Sequence, residues 1–194
     1  MKLFETIKNK DYIVQKHLKK DDILFRENDK CECIGIVLKG KLMIISYLEN
    51  GKEVIFNEPE TDDVFGNNLI FSSNPYYRGD IIALQDSDIL LIYRDDLLYL
   101  LKNNNDFLLE YLKIQSDFAK QLNNRIKLLT MDNVQERLKY YLYTNNNQIN
   151  YDSISSLAKK LSVQRETLSR IISKMEKEKI ILRNNKTIIL LKEA

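Results

Sequence analysis

The chain has 194 residues and a mass of 22.9 kDa, and 44% of its residues are hydrophobic, which is enough to bury the core of one or two domains. Its 30 Lys plus Arg against 28 Asp plus Glu leave a net charge of +2, so total charge alone indicates no polyanionic partner. A single histidine, His17, cannot supply the ligand pairs of a zinc hydrolase or a metal-binding cupin, and Gly-rich nucleotide-binding motifs are absent. We therefore expect no catalytic residues, no metal and no cofactor.

The cysteines and the absence of long apolar runs predict a cytoplasmic protein. Cys31 and Cys33 are separated by one residue, too close for an easy intrachain disulfide, which favours a reducing compartment. No apolar run approaches the ~18 residues of a membrane span, and the first residues lack the apolar stretch of a signal peptide. We interpret the two cysteines as structural rather than as a redox sensor.

The first part of the chain has the pattern of a β domain. All five glycines and both prolines precede residue 80, where they separate short apolar runs. These runs predict strands at 23–25, 34–38, 41–48, 53–58, 80–84 and 88–93. Asn50-Gly51 is a favoured pair for a two-residue type I′ hairpin. Strands spaced this regularly indicate a sandwich or a β-roll.

From Asp106 the apolar spacing changes to that of a helix. Apolar residues recur alternately four and three apart, with Gln115 as the one polar position in the series. This heptad spacing predicts a dimer seam on a long helix. The seam residues are Leu108, Leu112, Leu122, Ile126 and Leu129. Packing of the same helix on its own β domain is the alternative, and both can hold on different faces.

The last 63 residues have the outline of a winged helix-turn-helix. A helix is predicted at 132–143, followed by a hinge or turn at 144–150. Asp152 is the predicted cap of a short helix, and a second helix buries Leu168, Ile171, Ile172 and Met175 at helical spacing. Two strands at 181–183 and 186–191 follow, joined by Asn184-Asn185.

The face of the second helix opposite its apolar stripe carries side chains suited to reading base edges. Glu166, Ser169 and Arg170 lie on this face and Arg165 lies on the flank of the first turn, and these four are the predicted base-reading residues. Residues 132–194 hold 12 Lys plus Arg against 7 Asp plus Glu, a net +5 that suits an approach to phosphates. The predicted backbone contacts are Lys159, Lys160, Thr167, Arg183 and Lys186. A merely solvated face is the alternative interpretation.

Several segments resemble the Crp/Fnr family of bacterial transcription regulators. The segment 164–170 (Gln-Arg-Glu-Thr-Leu-Ser-Arg) resembles the family's recognition-helix motif, and Arg137-Leu138 resembles the pair that opens its DNA-binding domain. The segments 22–29, 38–41 and 63–66 are similar to corners of its cyclic-nucleotide-binding β-roll.

The resemblance implies an α+β chain with three parts. These are an N-terminal double-stranded β-helix (β-roll) at 1–105, a dimerisation helix at 106–131 and a winged helix-turn-helix at 132–194. It also implies a palindromic double-stranded DNA site, a second copy of the chain, a small-molecule effector and RNA polymerase as partners.

The pocket that the resemblance implies departs from the pattern of cyclic AMP binders. Its candidate residues are Gly66, Asn67, Asn68, Arg78 and Asn123. Cyclic AMP binders of the family place a Glu after the glycine and an Arg-Ser pair soon afterwards, whereas this chain has Asn67 and Arg78-Gly79-Asp80. An Asp close to the Arg opposes a phosphate unless it points away. We therefore predict a homodimeric, sequence-specific DNA-binding regulator whose effector is not cyclic AMP.

The alternative function comes from another class of protein. It is a ligand-binding or protein-interaction module whose helix-turn-helix does not bind DNA. An enzyme on the same roll is disfavoured by the single histidine. The salt dependence of DNA binding separates the regulator from the interaction module.

Overall fold

The computed structural model describes residues 2–5, 7, 10–51 and 53–191. These residues form two compact units, the first ending at Asp117 and the second beginning at Phe118. The division falls inside one long helix, so each unit includes part of that helix. In the described part of the chain, no helix is both long and apolar enough to cross a membrane.

The first unit is built mainly of β-strands. Its elements are α1 (Lys2–Glu5), a 3₁₀ turn (Lys10–Tyr12), β1 (Val14–Leu18), β2 (Ile23–Phe25), β3 (Cys33–Lys39), β4 (Leu42–Tyr47), β5 (Glu53–Asn57), β6 (Val64–Phe65), β7 (Asp80–Ala83), β8 (Ser87–Tyr93), α2 (Arg94–Asn103) and the first part of α3 (Asn105–Leu129). Among the described residues the strands form two four-stranded antiparallel sheets, in the orders β1-β8-β3-β6 and β2-β7-β4-β5. This is the expected β-roll.

The central strands β3 and β8 contribute many residues to the core because they are apolar on both faces. Ile34, Ile36, Ile89 and Ile92 are fully buried there. The edge strand β1 is largely polar and exposed, and it carries His17, whose Nδ1 lies 2.8 Å from Asp88 Oδ1. His17 is therefore the strand-edge residue that its Lys-rich surroundings predict.

Several local predictions for the first unit are wrong or incomplete. Gly51 has a φ of 75° but Asn50 has no positive φ, so the turn after β4 is not type I′, which requires positive φ at both positions. Gly51 N instead donates to Leu48 O at 2.8 Å. The sequence pattern also missed β1, β6 and α2, which carry few buried apolar residues or are very short.

The second unit is a helical core with a small sheet. It contains the second part of α3, α4 (Val134–Thr144), β9 (Gln148–Asn150), α5 (Ile154–Leu161), α6 (Arg165–Lys177), β10 (Ile181–Asn184) and β11 (Thr187–Leu190). The strand order is β10-β11-β9, all antiparallel. Leu138, Leu142, Leu161, Leu168 and Ile188 are among the fully buried residues that join these elements.

Three details of the second unit correct the sequence interpretation. The segment 144–150 is not only a turn, because Gln148–Asn150 forms β9 and Ile149 pairs with Ile188. The cap of α5 is Ser153 rather than Asp152, since Ser153 Oγ accepts from Ser156 N at 3.1 Å. The turn between β10 and β11 is centred on Asn185, which has a φ of 50°.

A substitution at Gly79 provides a test of the close packing of the β-roll. A Cβ on Gly79 would lie 2.5 Å from Ile45 O, a backbone atom that cannot move aside cheaply. We expect Gly79→Ala to lower the free energy of unfolding by about 1–3 kcal/mol. Gly51→Ala is the matched control: its Cβ meets nothing within 4 Å, so only its positive φ costs energy, about 1–2 kcal/mol. Urea unfolding followed by circular dichroism compares the two, and a smaller loss for Gly79→Ala than for Gly51→Ala would contradict the packing argument.

Candidate functional site

Helix α6 presents two opposite faces, as the sequence predicts. Leu168, Ile172 and Met175 are fully buried against the C-terminal core, and Ile171 is half-buried. Of the four predicted base-reading residues, Glu166, Ser169 and Arg170 are exposed on the opposite side, and Arg165 is exposed on the flank of the first turn. Glu166 lies in the first turn, where the positive end of the helix dipole favours a carboxylate. The exposed face therefore offers both guanidinium donors and a carboxylate acceptor.

A shallow groove runs along the C-terminal half of this exposed face. It is lined by Ser169, Arg170, Ser173, Lys174, Lys177 and Glu178. Lys174 Nζ lies 3.8 Å from Glu178 Oε1, so part of its charge is compensated on the helix itself. The sequence interpretation treated these lysines as ordinary solvated residues, but their position beside Arg170 makes them part of the same polar surface.

The predicted backbone-contacting residues lie on three different elements. Lys159 and Lys160 are exposed in the last turn of α5, and Thr167 is half-buried in the first turn of α6. Arg183 and Lys186 are exposed on the β10–β11 hairpin. The Arg183 Nε donates to Tyr151 Oη at 3.0 Å, and this hydroxyl donates to Asn185 O in the turn of the hairpin at 3.3 Å.

Two arginines that the site predictions did not include hold the turn before α6. Arg125, on the second part of α3, donates to Lys160 O and, at 2.9 Å, to Ser162 Oγ. Arg137, on α4, donates to Leu161 O and Ser162 O, both at 3.2 Å. No local sequence pattern identifies these contacts, because donor and acceptor are 24 to 37 residues apart in the chain.

The exposed apolar stripe of α3 differs from the predicted seam at its N-terminal end. Leu112, Leu122, Ile126 and Leu129 are exposed, but Leu108 is half-buried and the neighbouring Leu109 is 66% exposed. A helix that exposes so many large apolar residues along one side has a surface available to a partner.

Gln115 is placed differently from the sequence interpretation, which put it in that stripe. Its Nε2 donates to Asn67 O at 2.7 Å and to Tyr111 Oη at 2.8 Å, and its Oε1 accepts from Asn67 Nδ2 at 3.0 Å. The Gln115 amide therefore bonds to the turn after β6 within the first unit. Asn67 is almost completely buried by this arrangement, with 4% of its surface exposed.

The other predicted pocket residues lie on separate segments of the chain. Gly66 has a φ of 76°, and a Cβ there would lie 2.9 Å from Cys33 O, so a glycine is required. Asn68 and Arg78 are exposed in the first unit, and Asn123 is exposed on the second part of α3. Asp80, which follows Arg78 by two residues, accepts from Glu27 N at 2.7 Å, and this hydrogen bond occupies part of its carboxylate.

Cys31 and Cys33 are buried free thiols in the first unit. The Cys31 Sγ donates to Cys33 O at 3.5 Å and to Gly66 O at 3.6 Å. Burial raises the pKa of Cys33 to about 12, and burial also raises the pKa of Cys31. Thiols in this environment stay protonated near neutral pH and are poor nucleophiles. Among the described residues, no group of three His, Cys, Asp or Glu side chains is arranged to hold a metal ion.

Comparison with family models identifies both parts of the chain. Residues 15–104 match the model of the cyclic nucleotide-binding domain, and residues 136–194 match that of the Crp-like helix-turn-helix domain. A cyclic-nucleotide-binding-type domain followed by a helix-turn-helix is the domain arrangement of Crp/Fnr-type transcription regulators. The chain belongs to the Crp/Fnr family of transcription regulators.

Relatives along nearly the whole chain are transcription regulators. The HTH-type transcriptional regulator ArcR of Staphylococcus epidermidis is 26% identical over 189 residues, which cover 92% of this chain and 82% of the relative. The anaerobic regulatory protein of Bacillus subtilis is 22% identical over 190 residues, with coverages of 92% and 78%.

Solved structures of low sequence identity share the fold. FixK2 of Bradyrhizobium japonicum matches with a TM-score of 0.66 and 19% identity, covering 93% of each chain. A CooA mutant of Carboxydothermus hydrogenoformans matches with a TM-score of 0.74 and 20% identity, covering 98% of this chain and 91% of that one. These matches confirm the predicted α+β fold of roll, long helix and helix-turn-helix.

The buried thiols give a chemical test of the first unit. Because only the thiolate reacts, we expect Cys31 and Cys33 of the native protein to react with a maleimide far more slowly than in guanidinium chloride. For Cys33 the native rate should rise about tenfold per pH unit between pH 7 and 9, since a pKa of about 12 leaves its thiolate fraction proportional to hydroxide. The denatured chain should level off near its ordinary pKa of about 8.5. Fast native labelling at pH 7 would mean that the thiols are accessible and reactive.

Proposed function

We propose that the protein is a homodimeric regulator that binds a palindromic double-stranded DNA site through α6. The observation that carries the proposal is the exposed surface of α6, where Glu166 and Arg170 lie opposite a fully buried stripe and Arg165 lies on the flank of the first turn. Arginine pairs with guanine O6 and N7, and glutamate accepts from cytosine N4, so this face is suited to the major groove. Membership of a family of regulators that bind DNA as dimers supports the proposal.

The surroundings of α6 suit a phosphate backbone. Lys159 and Lys160 extend from the last turn of α5, and Arg183 and Lys186 extend from the hairpin, so cations flank the reading face within the same unit. Such contacts position a protein on DNA without reading its sequence. The groove beside Arg170 adds Lys174 and Lys177 to this set.

A second copy of the chain is the proposed partner of α3. Its exposed stripe of Leu112, Leu122, Ile126 and Leu129 has the spacing of a coiled-coil seam. Two copies joined along this helix would present two α6 helices, and the DNA half-sites would then be centred ~10 base pairs apart or at a multiple of that spacing. RNA polymerase is a further proposed partner, since regulators act on transcription through it.

The first unit is proposed to sense a small molecule other than cyclic AMP. Asn67, at the position where cyclic AMP binders of the family carry a glutamate, is buried and bonded to Gln115 on both its side chain and its carbonyl. It therefore lacks the negative charge with which a glutamate accepts from a ribose hydroxyl, and its amide Nδ2 is hydrogen-bonded to Gln115 Oε1. The alternative, an interaction module that does not bind DNA, predicts no steep salt dependence of DNA binding.

Base-reading and backbone-contacting residues should fail in different ways. We expect Arg170→Ala to relax the preference at one base pair by about 1–3 kcal/mol with little loss of nonspecific affinity. Lys159→Ala should weaken all sequences alike and reduce the salt slope by about one per monomer. Glu166→Ala should raise general affinity and broaden the consensus, because a negative charge is removed. Site selection from random duplexes measures all three, and an unchanged consensus for both Arg170→Ala and Glu166→Ala would show that α6 does not read bases.

The dimer seam is tested by a charge in its centre. Leu122→Glu would bury a carboxylate from each copy at the seam, which should cost several kcal/mol and shift the protein to monomers. Sedimentation equilibrium at micromolar concentration measures the shift. The control is Lys120→Ala on the same helix, which should stay dimeric. A Leu122→Glu protein that is still dimeric at this concentration would place the interface elsewhere.

Calorimetry tests the exclusion of cyclic AMP. We expect no binding in the micromolar range, since Asn67 is committed to Gln115 and no Ser follows Arg78. A known cyclic AMP-binding domain run under the same conditions serves as the positive control. A micromolar or tighter dissociation constant would show that another residue set holds the nucleotide, and Arg78→Ala would then identify its phosphate contact.

A further inference from the structure

The C-terminal end of α5, where its last carbonyls lie, is bonded to arginines from two other helices, α3 and α4. The last carbonyls of a helix have no partner within it, and the negative end of the helix dipole favours positive charge there. Arg125 donates to Lys160 O, and Arg137 donates to Leu161 O and Ser162 O. Three successive carbonyls at this point therefore bond to two guanidinium groups, one from α3 and one from α4.

Ser162 adds a second observation at the same point. It forms the C-cap of α5 with a φ of 53°, in the left-handed region that a glycine adopts at lower cost. Its Oγ accepts from Arg125 Nη2 at 2.9 Å. The chain thus has a serine in a backbone conformation that a glycine would adopt with less strain. The serine hydroxyl, which a glycine would lack, is bonded to α3.

The contact joins the two elements that matter for a dimer on DNA. Arg125 lies next to Ile126 and three residues from Leu122, on the part of α3 that belongs to the second unit. Ser162 lies three residues before Arg165, the first residue of α6. The contact between Arg125 and Ser162 therefore also constrains the position of the start of α6 relative to the proposed dimer stripe.

We propose that the contact of Arg125 with Ser162 and the end of α5 sets the spacing between DNA half-sites that the dimer accepts. This inference rests on the proposed function. Arg125 and Ser162 act as positioning residues, because they hold α6 at one angle to the dimer helix and touch no base themselves. A guanidinium is suited to this role, since its planar fork reaches a carbonyl and a hydroxyl at once, whereas a lysine offers a single ammonium.

The test measures spacing preference separately from affinity. A consensus palindrome is first selected with the full-length wild-type protein from random duplexes. Dissociation constants are then measured for that palindrome, for a version with one base pair added at its centre, and for a single half-site. One added base pair shifts the second half-site by about 3.4 Å and turns it by about one tenth of a DNA turn. A rigid dimer should bind this duplex much more weakly than the palindrome.

The variants should lose the preference for the wild-type spacing of half-sites but should still bind DNA. We expect Arg125→Ala and Ser162→Gly to reduce the ratio of the two palindrome dissociation constants by about tenfold, in the range of coupling between sites. Affinity for the single half-site should not change. Arg125→Lys should also lose the spacing preference, because lysine retains the positive charge but not the planar guanidinium that bonds to a carbonyl and a hydroxyl together. Lys120→Ala, which removes a cation from the same part of α3, should behave as wild type.

Ser162→Gly separates positioning from stability. Glycine relieves the positive φ, so a purely structural role predicts equal or higher thermal stability and an unchanged spacing ratio. Our proposal predicts that the ratio falls although the melting temperature does not. Folded, dimeric Ser162→Gly and Arg125→Lys proteins that keep the wild-type ratio would overturn it, even where Arg125→Ala fails to fold. A wild-type protein that selects no consensus would instead overturn the proposed function.

Discussion

The burial of one face of α6 is the constraint on which the C-terminal unit depends. Leu168, Ile172 and Met175 are fully enclosed, so the helix has one allowed rotation about its axis. Successive residues of a helix are about 100° apart around its axis, so a rotation by that angle would bring Glu166 or Arg170 toward the apolar core. Burial of an unpaired charge there is strongly unfavourable. The outward direction of the polar face thus follows from packing.

Much of this arrangement was predictable from the sequence because it depends on periodicity. Alternating and helical spacings of apolar residues identified the strands β3, β4, β7 and β8 and the helices α3, α5 and α6, within one to three residues of their ends. Gly35 lies inside β3 and Gly79 immediately before β7, and at both positions the roll leaves no room for a Cβ. The family motif around α6 and the helical wheel pointed to the same residues for the same reason.

The features that sequence analysis missed depend on contacts between distant segments. Strand β1 has only Leu18 buried, so it carries no apolar alternation, and β9 forms because Ile149 pairs with Ile188, 39 residues later. Gln115 fits the heptad of α3 by spacing, but its amide bonds to Asn67, and the pattern cannot show this. Arg125 has no local signal either, since its acceptors lie at the end of another helix. Chain spacing predicts elements, whereas polar partners are set by the tertiary fold.

The paired amides of Asn67 and Gln115 also bear on how this chain could change over evolution. Each group satisfies the other in a buried place, so a carboxylate at position 67 would face the Gln115 Oε1 and repel it. A change at Gln115 alone would remove the acceptor of the Asn67 Nδ2, while the Asn67 carbonyl would keep its hydrogen bond from Tyr111 Oη at 3.3 Å. Neither single substitution is expected to be neutral, so a glutamate at position 67 calls for a compensating change at Gln115. The two positions therefore form an epistatic pair.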